Sequence, residues 1–449
     1  MTTTDLRVET KSSPAPARVR RGPALAVIAL GAAAVVALWW RDTPHVVGPG
    51  GWLTGAGRIT GLLAGYGLAV LLALMARVPA LERGVGTDRL TRWHARGGRY
   101  VVWLAIAHTL LIIWGYAVTE ATGVVDETVT MVLSYPDVLK ATAAMALLVA
   151  VGAISVRAAR RRLRYETWYH LHFYTYLATW LAFGHQLATG EEFAGHHVAT
   201  ACWYALYLGV AALLVRYRLW APLALSLRHR LRVVTVVPEA PGVVSIYLYG
   251  RDLDRLRIEP GQFFRWRFLT RRLWWSANPY SLSAPPGTGT LRITVKDLGD
   301  HSAALARLRP GTRVLAEGPY GAFTAGLRCR ERVLLIAGGV GITPLRALFE
   351  TLPGQVTLIY RARSAEELVF RAELEEIAAR RGARLLYCVG DRAVIGSPFT
   401  ARELRRQVPD LRAHDVYLCG PPAMTGAASA ALREAGVPAR RIHHESFDF

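Results

Sequence analysis

Apolar and polar positions alternate along this chain on two different scales. Up to about residue 216 the pattern is long, with apolar runs at 24–40, 57–76, 100–118, 138–156, 167–188 and 198–215 separated by polar connections. Each run approaches the roughly 20 residues that a helix needs to cross a hydrocarbon layer, so six spans are expected. From about 229 the scale shortens. RVVTVV, VVSIYLY, FFRWRFL, LRITVKD and RVLAEGPYG are β-prone runs between turn residues, which predicts a small antiparallel β-barrel over 229–325. From 331 onward, strands such as VLLIA, QVTLIY, RLLYCV and DVYLC alternate with helical stretches, the pattern of an α/β doubly wound parallel sheet. The predicted fold class is therefore a multi-domain membrane protein: a tail (1–23), a six-helix transmembrane bundle (24–220), a β-barrel (229–325) and an α/β nucleotide-binding domain (331–449).

Charge orients the spans. The N-terminal tail (Arg18, Arg20, Arg21), the second connection (Arg83, Arg89, Arg92, Arg96), the fourth (Arg157, Arg160, Arg161, Arg162, Arg164) and the segment after the sixth run (Arg216, Arg218, Arg228) are Arg-rich. The third connection instead carries Glu120, Asp126, Glu127 and Asp137, and the fifth carries Glu191 and Glu192. The positive-inside rule then places both termini in the cytoplasm of a cell that carries the protein in its plasma membrane. The net charge of +21 is spread over membrane flanks rather than gathered in one stripe, so no nucleic-acid partner is expected. Cys202, Cys329, Cys388 and Cys419 form no C-x-x-C pair, which leaves a disulfide framework, a zinc ribbon and a ferredoxin-type cluster without support.

Ionisable side chains inside spans are costly and by default face the bundle interior with a functional partner. Two spans carry a histidine near each end: His94 and His108 around the third, His172 and His185 in the fifth. Both spans run outward in this topology, so His94 pairs in depth with His172 and His108 with His185. Fourteen helical residues rise about 21 Å, which fits two stacked sites. An imidazole on each face of a planar macrocycle is how a protein holds six-coordinate haem, so two b-type haems are the expected occupants. Thirteen residues, the spacing of His172 and His185, leave an ideal helix about 140° out of phase, whereas His170 to His185 is about 60° off. Either a bulge or tilt realigns His172, or His170 is the ligand. Trp103 and Trp180 fall between the two levels. Arg58, at the outer start of the second span, suits a haem propionate, a small anion or snorkelling to the interface, and Arg96 and Arg99 suit inner propionates or topology signals.

In the α/β portion, LIAGGVGITPLRAL follows a buried strand and opens a helix. Gly338, Gly339 and Gly341 permit close approach of backbone amides to a phosphate, whose charge the helix N-terminus favours. The next strand ends in Arg361 and Arg363 rather than in an acidic residue, which suits the 2′-phosphate of NADPH over NADH.

NPYSLSAPP (278–286), EGPYG (317–321), AGGVGITP (337–344), CGPPAM (419–424) and the final HHESFDF together resemble the ferredoxin–NADP reductase family. With the histidine-bearing spans ahead of them, the chain from about 55 onward resembles the NADPH oxidase and ferric reductase superfamily in its short bacterial form. The resemblance implies that Pro279, Tyr280, Ser281 and Ser283 hold the flavin and its phosphate, with Asn278 standing where the family usually has Arg or His. It implies that Lys296, Gly299 and Ser302 close on the FAD pyrophosphate. Gly339, Gly341, Thr343 and Pro344 match the nicotinamide-nucleotide loop, Arg361 and Arg363 the adenosine-phosphate site, and Cys419, Gly420 and Pro421 the segment beside the nicotinamide. Phe449 resembles the terminal aromatic that stacks on the flavin, and the thirteen-residue spacing favours His172 over His170. Arg58 resembles an arginine near the oxygen site of the eukaryotic oxidases, while Ile112 replaces a histidine those enzymes often carry.

These features imply a flavocytochrome b that passes electrons from NADPH through FAD and two haems outward, with dioxygen giving superoxide as the expected acceptor and a ferric or cupric chelate as the alternative. A transporter with a regulatory nucleotide-binding domain is a more distant possibility. No calcium-binding loop or activator motif is evident, so no obligate protein partner is expected.

Overall fold

The computed structural model describes residues 21–43, 46–156, 162–163, 165–287, 289–390 and 399–445. Two compact units divide the chain, one ending at Ala221 and the other starting at Pro222.

The first unit is helical. Its elements are α1 (Arg21–Asp42), α2 (Gly48–Leu74), the short α3 (Pro79–Val85), α4 (Thr87–Thr119), α5 (Val124–Ser134), α6 (Val138–Ser155), α7 (Tyr165–His172), α8 (Tyr174–Ala188) and α9 (His197–Leu214). A π-helical turn over Val215–Trp220 carries α9 directly into α10 (Ala221–His229). Many large apolar side chains point outward, among them Trp103 at 69%, Leu110 at 62%, Trp180 at 71% and Leu208 at 65% exposure. So much exposed apolar surface is stable only where lipid replaces water.

Five helices among the described residues are long and apolar enough to cross a membrane: Gly22–Arg41, Gly48–Leu74, Arg89–Thr119, Val138–Ser155 and His197–His229. The expectation of six uninterrupted spans needs correction at the fifth run, which is two helices, α7 and α8, meeting at Phe173. Here the amide of Phe173 donates to the carbonyl of His170 and that of Tyr176 to Phe173, both three residues back rather than four. The cause lies in the sequence YHLHFYTY. Aromatic rings lose rotamer freedom against the preceding turn of a helix, and these rings pack on one another instead: Trp168 stacks on His172 at 5.1 Å and Tyr169 meets Phe173 at 4.7 Å.

In the second unit, α10 is followed by two three-stranded antiparallel sheets. One runs β1 (Arg232–Ala240), β2 (Val243–Tyr249), β5 (Thr290–Lys296); the other runs β4 (Asn278–Ser281), β3 (Phe263–Phe268), β6 (Val314–Tyr320). They enclose one core built on Trp266, Phe264, Phe268, Ile246, Leu248 and Ile293. Where the sequence predicts a small antiparallel barrel, the described residues form these two sheets, joined at isolated bridges from Arg232 to Arg313 and from Leu282 to Ile293. Pro279 lies in β4, which pairs only with β3; an edge strand tolerates a residue without an amide donor. The six-residue helix α11 (Asp300–Leu305) follows β5.

A five-stranded parallel sheet follows, in the order β11 (Ile442–Glu445), β10 (Asp415–Cys419), β7 (Val333–Gly338), β8 (Val356–Ala362), β9 (Arg384–Val389). Alternate residues of β7 serve opposite faces. Val333, Leu335 and Ala337 pack with α12 (Ile342–Thr351) and α13 (Arg371–Arg381), while Leu334 and Ile336 pack with α14 (Ala401–Gln407) and α15 (Pro422–Glu434). Burial on both faces explains why these strands read as continuous apolar runs. The order reverses between β7 and β10, the switch point at which such sheets bind ligands beyond their carboxyl ends.

Candidate functional site

In the helical unit α2 and α4 lie antiparallel and in register. The carbonyl of Gly57 meets Nδ1 of His108 at 2.8 Å, and that of Leu71 meets Nδ1 of His94 at 3.1 Å. Such closeness requires glycine on α2: a Cβ on Gly61 would stand 2.5 Å from Nδ1 of His108, and one on Gly57 would stand 2.8 Å from Ile112. Small residues four apart let membrane helices approach in this way.

Against α4 stand α7 and α8. The rings of His94 and His172 are 5.9 Å apart, centre to centre, and those of His108 and His185 are 6.2 Å apart. The break at Phe173 brings His172 onto the same side as His185 despite their spacing. His170 instead packs against Tyr169 and Phe173. Nδ1 of His94 and of His108 donate to carbonyls, which leaves a lone pair on each of their Nε2 atoms, and Nδ1 of His185 lies 3.0 Å from the Thr189 hydroxyl. Metal-bound histidines are oriented by this kind of second hydrogen bond. Nδ1 of His172 is buried without a hydrogen-bond partner. Metal–nitrogen bonds of about 2 Å on each side of one ion separate two imidazole centres by about 6 Å, so both pairs fit a bis-histidine metal group.

Arg58, one residue beyond the carbonyl that holds His108, meets Glu192 at 2.6 Å and Glu191 at 2.5 Å. Glu192 is 2% exposed. The cation for which a propionate, a small anion or snorkelling was expected is thus balanced by two carboxylates of the α8–α9 connection. Trp103 and Trp180 lie on the exposed surface of the unit.

In the second unit the flavin-type motif NPYS is β4. Its Asn278 amide is 2.8 Å from Nδ1 of His301, joining the motif to the VKDLGDHS segment. The hydroxyl of Tyr280 is pushed up to about 12 by burial, tempered by Asn278, so it stays a neutral donor. Ser281 is buried and its hydroxyl has no protein partner. Ser283 is also buried, but its hydroxyl accepts from Arg292 at 3.1 Å and from Thr294 at 2.8 Å, so it braces the motif from within. Lys296 ends β5. Gly299 has φ 146°, which only glycine adopts freely, and the Ser302 hydroxyl receives the amide of Leu298 at 2.7 Å and donates to the carbonyl of Gly299 at 2.9 Å.

The nucleotide-type loop Gly338–Gly341 and the Cys419–Pro421 segment meet at the carboxyl ends of β7 and β10. A Cβ on Gly341 would strike the Cys419 carbonyl, and one on Gly420 would lie 2.6 Å from Met424. Thr343 is buried with its hydroxyl on the Val340 carbonyl at 3.0 Å, and Pro344 is buried behind it. The Cys419 thiol is fully buried, and burial raises its pKa well above the ordinary value, so it is a neutral packing group. Arg361 turns back onto the carbonyls of Ala362, Cys388 and Gly390. Arg363 is largely exposed, 3.7 Å from Glu367, and is the freer of the two cations. Phe449 lies outside the described residues, as do Arg157, Arg160, Arg161 and Arg164.

Comparison with known proteins settles the family. The ferric reductase like transmembrane component matches residues 60–183, and the oxidoreductase NAD-binding domain matches residues 335–430. The chain belongs to the ferric reductase-like, NADPH oxidase-type superfamily. Over 240 residues it is 30% identical to ferredoxin–NADP reductase B of Sorangium cellulosum, covering 48% of this chain and 96% of that protein. It is 34% identical to the ferredoxin reductase component of 3-ketosteroid-9-alpha-monooxygenase from Mycolicibacterium smegmatis, covering 48% of this chain and 63% of that one. The chain thus spans under two thirds of the length of several curated relatives it matches. Among solved structures, the FAD/NAD-binding domain of a Vibrio cholerae nitric oxide dioxygenase aligns at 27% identity over 48% of this chain and 98% of that one, with a TM-score of 0.41. The chain thus joins a ferric reductase like transmembrane component to an oxidoreductase NAD-binding domain.

Sequence reasoning missed Gly57 and Gly61 as the residues that let α2 hold the α4 histidines, although their four-residue spacing was a usable signal. It also missed Arg292, which nothing in the local pattern marks.

Proposed function

We propose that this protein carries electrons across a plasma membrane, from cytoplasmic NADPH through FAD and two b-type haems to an acceptor on the outer side. The observation supporting this most directly is the facing of His94 with His172 and of His108 with His185, at 5.9 and 6.2 Å between rings. When bound, FAD takes a hydride from NADPH and releases electrons singly, and haem iron passes one electron at a time. The chain's own residues bind and align. His94 and His172 hold the inner haem, and His108 and His185 the outer one, with the Gly57 and Leu71 carbonyls fixing two of the four imidazoles. Tyr280, Ser281, Lys296, Gly299 and Ser302 hold FAD, and Phe449 stacks on its ring. Gly339, Gly341, Thr343 and Pro344 receive the NADPH pyrophosphate; Arg363 faces the 2′-phosphate, with Arg361 bracing the strand end behind it; Cys419, Gly420 and Pro421 border the nicotinamide. Neither terminus leaves the cytoplasm, and turnover requires no protein partner.

Dioxygen, reduced to superoxide, is the first reading for the acceptor, with Arg58 beside the outer haem. One observation favours a ferric or cupric chelate instead: Glu191 and Glu192 neutralise Arg58, and the Glu191 side chain is 63% exposed, so this end offers a carboxylate to an approaching metal ion. Purified protein supplied with haem, FAD and NADPH decides both questions. Two haems per chain by pyridine haemochromogen assay are expected, and fewer would sink the electron path. Superoxide-dismutase-sensitive cytochrome c reduction supports dioxygen, whereas fast anaerobic reduction of ferric citrate with little oxygen uptake supports the chelate.

A further inference from the structure

Within the second unit, one buried guanidinium touches both halves of the reductase. Arg292, on β5, is 8% exposed and spends every donor. Its Nε and one terminal nitrogen donate to the hydroxyl and carbonyl of Ser283, at 3.1 and 2.7 Å, beside the flavin motif. Its two terminal nitrogens grip the Glu373 carboxylate, each at 3.1 Å, and one also reaches the Tyr247 hydroxyl at 3.4 Å. The guanidinium lies 4.6 Å over the ring of Phe370, a residue held at φ 62° just before α13. Glu373 lies in the first turn of α13 and takes a second cation, Arg346. Arg346 is 5% exposed and belongs to α12, the helix that opens directly from the Gly338–Gly341 loop. Its other nitrogen holds Glu350 at 2.5 Å.

We propose that Arg292, Glu373 and Arg346 are positioning residues that set the nicotinamide against the flavin, by linking the flavin motif at Ser283 to the helix behind the nucleotide loop. This rests on the reading of the unit as a flavin- and nicotinamide-binding reductase and adds to it a determinant of hydride-transfer geometry. Three features support it. The link is one carboxylate wide, so both halves register on the same group, Arg292 on both of its oxygens and Arg346 on one. A guanidinium held in a two-pronged grip fixes direction as well as distance, which a lysine cannot do. Both guanidiniums are buried, so water does not readily substitute for a partner lost on their side. None of the three residues is placed to touch a reacting atom, so their effect is on alignment, where an error of about 1 Å costs about 100-fold in rate.

The test is anaerobic stopped-flow reduction of flavin in the full-length, FAD-loaded protein at saturating NADPH. Arg292→Lys, Arg292→Gln and Glu373→Gln are each expected to retain bound FAD and to lower the limiting rate by about 10- to 100-fold. The primary isotope effect with deuterated NADPH should rise as hydride transfer becomes fully limiting. The Arg292→Gln/Glu373→Gln double variant should be little slower than either single variant, because one link has been cut twice. Arg371→Gln, in an exposed pair on the same helix, should match the parent. Unchanged limiting rates in FAD-loaded variants, or multiplicative effects in the double variant, overturn the proposal. If a glutamine variant fails to fold, Arg292→Lys, which keeps the buried charge, still decides. A parent protein whose flavin NADPH does not reduce overturns the underlying reading instead, and that result is distinct from equal rates in parent and variants.

Discussion

Gly61→Ala is the sharpest probe of the paired-histidine site, because it adds one methyl group and replaces neither a charged residue nor a ligand. The new Cβ would stand 2.5 Å from Nδ1 of His108 and 2.8 Å from its Cε1, where ordinary contact begins at 3.4 Å. Ring or helix must therefore yield by about 0.9 Å, the difference between these two distances. If α2 moves, the 2.8 Å bond from His108 to the Gly57 carbonyl lengthens, at about 1 kcal/mol, and the added packing strain costs about 1–3 kcal/mol. If the ring moves, it leaves the line toward His185, whose centre lies 6.2 Å away. Both responses degrade the outer site and leave the inner one, fourteen residues along α4, untouched. Haem content of the purified variant should fall from two per chain toward one, with the remaining haem retaining a low-spin, bis-imidazole spectrum. Gly55→Ala on the same helix is the control, because its Cβ would meet only Val46, at 3.8 Å. Two haems with parental midpoint potentials in Gly61→Ala, or loss of both haems together, would refute the reasoning.

Four further outcomes are expected. His172→Ala should abolish the inner haem while His170→Ala leaves it, as read from haem content; the opposite result reassigns the ligand. Asp415 accepts the amides of Cys329 and Arg330 at 2.6 and 2.5 Å, and although burial opposes its charge, His443 and these amides hold its pKa below the ordinary carboxylate value. Its stabilisation is therefore complete above the unfolded-state value near 4 and is lost as pH falls through the native value, so Asp415→Asn should cost about 1.5–3 kcal/mol at pH 7 and progressively less in denaturant melts run below pH 4. Burial raises the Cys419 thiol well above its ordinary value, so the native chain should resist iodoacetamide at this position at pH 8 and react only on unfolding, as peptide mass spectrometry can follow. Arg363→Ala should reduce the preference for NADPH over NADH by about 10- to 150-fold in kcat/KM, since one charge-assisted hydrogen bond is worth about 1.5–3 kcal/mol, whereas Arg361→Ala, which frees three carbonyls, should mainly lower thermal stability.

What the sequence made legible, and what it withheld, follows from the range of the interactions involved. Glycine loops, the edge-strand proline and alternating buried strands are local devices: Gly339, Pro279 and the two faces of β7 carry their reasons within a few residues. The four histidines were legible because burying imidazole in a membrane is costly enough to demand an explanation. The phase problem at His172 was legible too, but not its resolution, because the break at Phe173 arises from ring packing among Trp168, Tyr169, His172 and Phe173 that helical periodicity does not encode. Arg58 shows the same limit more strongly. Its cost in an apolar run could be read directly, whereas its partners, 133 and 134 residues later, could not. Glu191 and Glu192 read as topology signals in one connection, and only folding brings them to 2.5 and 2.6 Å from the guanidinium. Arg292 lies at the far end of this scale. In LRITVKD it is a polar position in an alternating strand, yet the bridge from Leu282 to Ile293 sets it beside Ser283, and the packing of α13 supplies Glu373. Residues whose task is to join two elements thus carry no local mark, and in this chain they are the ones on which the alignment of its cofactors rests.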